Sequence, residues 1–239
     1  MKTILAIIGV LAILVGGFIY FGNNESVTPA ENEDGLTEMV NDNEDNDQMG
    51  EGERQVVMPG EYQVNTDSSL VNWSGKKPLI DGYVNSGTLE ISEGSILVGD
   101  GEASGSFVID MNTLKVGLTA KKPNQETALE GHLKGEGWFN VETYPTASFV
   151  ITSVEAHADS DTTFEYDIVG DLTMKGETHE VTFPATIYQT ADKTVVAVAS
   201  TTIDRTKWGI TAGSGSFFDN LADNVIDDMI ALSFKLVAN

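Results

Sequence analysis

Two polar side chains in this sequence stand where chemistry is possible, His132 and Arg205. Arg205 interrupts the stretch Ile203-Asp204-Arg205-Thr206-Lys207-Trp208-Gly209. A guanidinium there could pair with a phosphate or a carboxylate. It could equally close the fold, through a salt bridge to one of many acids or a contact to backbone. His132 has a helical neighbourhood and could hydrogen bond a ligand's head or a structural partner under the helix. Lys134 reads as surface. The remaining histidines, His157 and His179, form no i, i+4 pair with His132 or each other, and no H-E-x-x-H occurs. Gly213-Ser214-Gly215-Ser216 is followed by Phe217, so there is no G-x-S-x-G elbow, and no phosphate-cradling G-x-x-x-x-G-K-[ST] loop is present. The chain has no cysteine, hence no thiol nucleophile, thiolate metal site or disulfide. No acidic pair stands out from so many. The expectation is a non-enzyme with no catalytic residue, no cofactor and no metal.

The stretch around His132 must position it. From Thr127 to Leu133, Ala, Leu and Glu favour a short helix, with Leu129 and Leu133 four apart. Gly135 and Gly137 break it, and Trp138-Phe139 follow as a large apolar payload. Tyr144-Pro145 forces an extended or turn conformation. After Pro145 the pattern has period two, with Ala147, Phe149 and Ile151 on one face. The rest of the chain from Gly60 onward reads the same way, as short alternating strands punctuated by Gly, Asn and Asp. Thr88 to Ser92 and Ser95 to Val98 flank Glu93-Gly94, a hairpin signal. Residues 112–124 are less regular. Single glycines inside strands, Gly105 and Gly170, suit the sharp bends of a small barrel. No repeat of 20 to 50 residues is visible. These features predict an all-β sandwich or closed barrel with one short helix. Its inward face is Phe107, Ile109, Phe149, Ile151, Tyr166, Ile168, Phe183, Ile187, Leu232 and Phe234. Alternation alone would have these residues simply fill a core.

The N-terminal quarter is of another kind. Ile4 to Gly22 is a run of 19 uncharged residues, close to the 20 or so that cross a bilayer as a helix. Lys2 precedes it and the next basic residue is Arg54, which predicts a cytoplasmic N-terminus and an exported remainder. The run ends in Phe18-Ile19-Tyr20-Phe21 with no A-x-A site, so residues 1–22 read as an uncleaved anchor rather than a cleaved signal. Residues 23–58 carry eleven acids against one base and no aromatic, a self-repelling spacer expected to be disordered. Asn41 to Asp47 alternates acids and amides, but a calcium loop begun at Asp45 places Val56 where a bidentate Glu is needed. The net charge of -24 argues against nucleic acid as a partner.

Three motifs in order add a resemblance. Gly131-His132-Leu133-Lys134 with its aromatic pair and Tyr-Pro, then Gly170-Asp171-Leu172-Thr173-Met174-Lys175-Gly176, then Ile203 to Gly209, resemble the signature of the YceI-like family over about Gly60 to Asn239. The resemblance implies a single antiparallel lipocalin-like β-barrel, residues 59–239, whose open interior holds a long-chain isoprenoid or a similar amphiphilic lipid. The ten inward residues would then line the ligand, with His132 and Arg205 as candidates for its head group. Relatives often place a His near the Gly82 to Gly87 region, where this chain has Tyr83, so a head-group contact there would differ. The implied function is lipid binding, for transport or storage, on the outer side of the cytoplasmic membrane. The alternative is a filled barrel acting as a structural or interaction module of the cell envelope.

Overall fold

The structure is a computed structural model, and it describes residues 54–99, 101–159 and 162–239. The expected anchor, 1–22, and nearly all of the expected spacer, 23–58, lie outside the described residues. Among the described residues no helix is long and apolar enough to cross a membrane.

Among the described residues, nine antiparallel strands close into a barrel. They are β1 (Gly60–Gln63), β2 (Leu70–Lys76), β3 (Val84–Val98), β4 (Ala103–Thr119), β5 (Thr146–Ala156), β6 (Tyr166–Met174), β7 (Glu177–Gln189), β8 (Val195–Asp204) and β9 (Met229–Ala238). Each pairs with its sequence neighbour from β2 to β9, and β2 pairs with β9 to complete the ring. β1 shares a position with β2: both lie along β3, and Val64 bridges Ala238 of β9. The barrel thus has eight positions, a size whose interior side chains just fill or that can hold one slender ligand. The break between β1 and β2 is patched by a side chain. Buried Ser69 accepts from Val237 N at 2.9 Å and donates to Val237 O, standing in for a strand backbone.

Period two places the expected residues inward because successive side chains face opposite sides of a sheet. Phe107, Ile109, Phe149, Ile168, Phe183 and Phe234 are all buried, at 7% exposure or less. Ile151, Ile187 and Leu232 pack against the same core, partly buried. Among the described residues the one helix of more than a turn, α1 (Glu126–Lys134), ends where Gly135 adopts an extended conformation. Leu133 is buried and Leu129 packs on the core, as their spacing of four predicts.

Two sequence expectations are corrected. Glu93-Gly94 does not turn the chain: β3 runs unbroken from Val84 to Val98 beside β4. The register shifts there by a bulge, and a Cβ on Gly94 would come 2.8 Å from both Phe107 Cβ and Ser106 O. Glycine serves close backbone approach in a strand as well as it serves a turn. Residues 112–119, expected to be irregular, instead extend β4 to Thr119. At the other boundary, Arg54 to Met58 lie along the barrel. Gln55 bridges Gln189, Tyr62 donates to Met58 O at 2.7 Å, and the Arg54 guanidinium lies over the Tyr188 ring.

Candidate functional site

Four phenylalanines meet at the barrel's waist and divide its interior. The ring-centroid contacts close a cycle: Phe107 to Phe149 at 5.5 Å, Phe149 to Phe183 at 5.3 Å, Phe183 to Phe234 at 5.2 Å, and Phe234 to Phe107 at 5.6 Å. Small neighbours make room for them. Ala185 and Ala199 are register partners, both fully buried. A Cβ on Gly170 would come 2.5 Å from Phe149 Cζ. Large beside small is how a narrow barrel fills its cross-section.

A chamber of about 330 Å³ lies on the α1 side of the waist, and one of about 290 Å³ on the other. Both are at the low end of the range that holds small ligands. The ten expected interior residues are therefore shared out. Ile109 and Leu232 line the α1 chamber. Phe107, Ile151, Tyr166, Ile168, Ile187 and Phe234 line the far chamber. Phe149 and Phe183 line neither and sit in the waist.

The two head-group candidates are brought together. His132 and Arg205 both line the α1 chamber, and both lie against Trp138. The His132 ring lies 5.8 Å from the Trp138 ring, and Arg205 Cζ lies 5.4 Å from it. The helix presents His132 to solvent, whereas Arg205 is only 2% exposed. The Arg205 guanidinium is taken up by the fold. It donates to the carbonyls of Ile210 at 2.6 Å, Asp227 at 3.0 Å and Ile226 at 3.2 Å, and to Asp228 Oδ1 at 3.2 Å. Burial pushes its pKa down, and Asp228, Asp204 and Asp227 oppose the shift. Of the two readings open in the sequence, these bonds are those of the loop-closing one. The loop they fasten, residues 209–228, walls the chamber with Ile210 and Ile226. The 3-10 turn Arg205–Trp208 that carries the arginine is itself pinned by Trp208, whose Nε1 donates to Leu172 O at 3.1 Å.

Sequence reasoning missed several wall residues. Trp73, Lys77 and Lys122 line the α1 chamber, as does Tyr83, which the sequence already marks as standing where relatives often place a His. Trp73 Nε1 is buried with no hydrogen-bond partner among the described residues, which leaves a donor in the chamber wall. The other histidines lie elsewhere: His157 pairs with Asp167 at 2.8 Å and His179 contacts Lys207 O at 2.9 Å. Among the described residues no cluster of His, Asp and Glu could hold a metal ion.

A model of the YceI-like domain matches residues 62–238. The chain belongs to the YceI-like family. Among YceI-like relatives, a UPF0312 protein of Pseudomonas putida is 38% identical over 68 residues, 28% of this chain and 33% of that one. Protein YceI of Escherichia coli O6:H1 is 35% identical over 74 residues, 31% of this chain and 36% of that one. The alignments thus span about one third of these relatives' length. BcnA of Burkholderia cenocepacia matches in structure with a TM-score of 0.57 and 23% identity, over 74% of this chain and 99% of its own. A polyisoprenoid binding domain from Saccharophagus degradans, implicated in plant cell wall breakdown, matches with a TM-score of 0.50 and 19% identity, over 74% of this chain and 97% of its own. These two likenesses are likenesses of fold.

Proposed function

We propose that the barrel binds the apolar tail of a long-chain isoprenoid or similar amphiphile and serves its transport or storage. The observation that carries this reading is the wall of the α1 chamber. Val71, Leu89, Ile109, Leu133, Ala147 and Leu172 make it apolar, and the charged lining residues come from the strand ends and loops above. Each buried CH2 of a ligand contributes about 0.8 kcal/mol in such surroundings, so a tail binds without any hydrogen bond of its own. The polyisoprenoid-binding neighbour supports the same reading. In the same proposal, residues 1–22 are an anchor that keeps the barrel on the outer side of the cytoplasmic membrane, where such lipids are found. No step of this function needs catalysis.

The test is native mass spectrometry of the full chain, recovered from washed membranes of its host, followed by solvent extraction. A stoichiometric apolar adduct is expected, and its mass gives the ligand class. A barrel that arrives empty and takes up neither added polyprenol nor added quinone overturns the reading.

A further inference from the structure

We infer that the α1 chamber takes an amphiphile whose head is anionic, a phosphate or a carboxylate, with the head held by Lys77 and Lys122 and the tail inside the barrel. This rests on the reading that the barrel binds an apolar tail.

The sign of the lining charges is the first observation. The chain has 37 acids against 13 lysines and arginines, so a wall of arbitrary residues would be acidic. Among the described residues, the α1 chamber is lined by Lys76, Lys77, Lys122 and Arg205 and by no acid. The far chamber has the opposite character, with Glu102 its one charged lining residue among the described ones.

The second observation is which of these cations are uncompensated. Arg205 is taken up by carbonyls and Asp228. Lys76 pairs with Asp227 at 3.4 Å. Lys77 meets no carboxylate among the described residues: its ammonium donates to Asn224 Oδ1 at 3.1 Å and lies 5.1 Å over the Tyr83 ring. Lys122 has no ion-pair or hydrogen-bond partner for its ammonium among the described residues. The nearby Glu126 carboxylate is held by Thr119 instead.

The third is placement. Lys77 follows the end of β2, and Lys122 follows the end of β4. Both strands flank the start of β3, where Val84 pairs with Lys76 and Asn85 with Thr119. Two strand spacings separate them, about 10 Å, a gap that two lysine side chains can close on one head group. Tyr83 and Asn85, also in the wall, offer neutral partners between them. The chain's overall acidity does not cancel this local sign, because charges beyond about 8 Å are screened at physiological salt.

The test is binding to the full-length protein, read by tryptophan fluorescence, since Trp73 and Trp138 line the chamber. Two matched pairs are compared: farnesyl monophosphate with farnesol, and palmitate with hexadecanol. At two- to fivefold per exposed charge contact, the anion is expected to bind about tenfold tighter than its alcohol. That preference, read as the ratio of anion to alcohol affinity within each protein, should shrink with added salt and vanish in Lys77→Glu/Lys122→Glu. A milder Lys77→Gln/Lys122→Gln variant, checked for native circular dichroism, guards against a folding artefact. A preference in only one pair assigns the head as phosphate or as carboxylate. Equal binding of anion and alcohol, or a preference that survives both variants, overturns the inference and leaves the apolar-tail reading standing. Failure of all four ligands to bind overturns both.

Discussion

At the scale of single residues, Arg205 decides how the α1 end is built. Its planar fork reaches three carbonyls and one carboxylate, an arrangement that a lysine ammonium cannot reproduce. Arg205→Ala leaves those acceptors and Asp228 without their donor in a buried setting. We expect it to lower unfolding free energy by about 3–5 kcal/mol, the range for breaking a buried pair from one side. Arg205→Lys should recover only part of that loss, and urea denaturation of the three proteins measures both. If Arg205→Ala unfolds at the parent's urea concentration, the loop is held by something else. The sequence left the ligand-binding and fold-closing roles of this arginine both open and named no partner for either. Its acceptors lie 5 to 23 positions further along, and only the closed loop brings them to one point. Lys77 and Lys122 were illegible for the same reason, since each reads as an ordinary loop lysine until the strands beside β3 bring the two together.

At the scale of elements, α1 was readable because its signals are local. Leu129 and Leu133 set one face, Gly135 ends it, and Trp138 fills the space beyond. The Glu93-Gly94 misreading has the opposite cause. Whether a glycine turns a strand or lets it pass close to its neighbour depends on the partner strand, and β4 runs alongside, with Gly94 opposite Phe107 and the bulge just before, between Ile91 and Glu93. What fastens α1 to the end of β4 was also non-local. Thr119 Oγ1 lies 2.6 Å from Glu126 Oε1 in the helix's first turn and 2.6 Å from Lys122 O. The hydroxyl has one proton, and the ionised carboxylate is the stronger acceptor. That bond is the largest cause holding the Glu126 carboxyl below the ordinary glutamate range. A carboxyl depressed in the folded state stabilises fully above its unfolded pKa, and that contribution is lost as pH falls through the folded value. Thr119→Val should therefore raise the Glu126 pKa toward the ordinary range, seen in a carboxyl carbon NMR titration. It should also flatten the acid limb of the stability curve. An unmoved Glu126 titration in the variant would show that the helix's first turn, not Thr119, sets the shift.

At the scale of the whole molecule, the closed barrel was legible and its partition was not. Alternation tells which face of a strand a side chain takes, but not its height along the barrel axis. Height comes from register, and register puts Phe107 beside Phe149 and brings Phe183 and Phe234 level with them. The ten inward residues thus belong to two chambers and a waist rather than to one tunnel. This has a measurable consequence for ligand length. In the parent protein, affinity for a series of prenols should rise with each added unit while the tail finds apolar wall, then level off once it meets the four rings. Phe234→Ala removes a ring that touches two others and faces the far chamber. The cost should be about 3–5 kcal/mol of stability, typical of an aromatic deleted from a core. Phe234→Leu gives a gentler version that keeps most of the packing. In Phe234→Ala the two chambers should join and the plateau move to longer prenols, each further buried CH2 adding up to about 0.8 kcal/mol, with a smaller move in Phe234→Leu. Native mass spectrometry across the prenol series reads the plateau directly. The same plateau in parent and variants would mean that tails never reach the waist. A parent affinity that climbs without levelling would mean that the rings part to let the tail through.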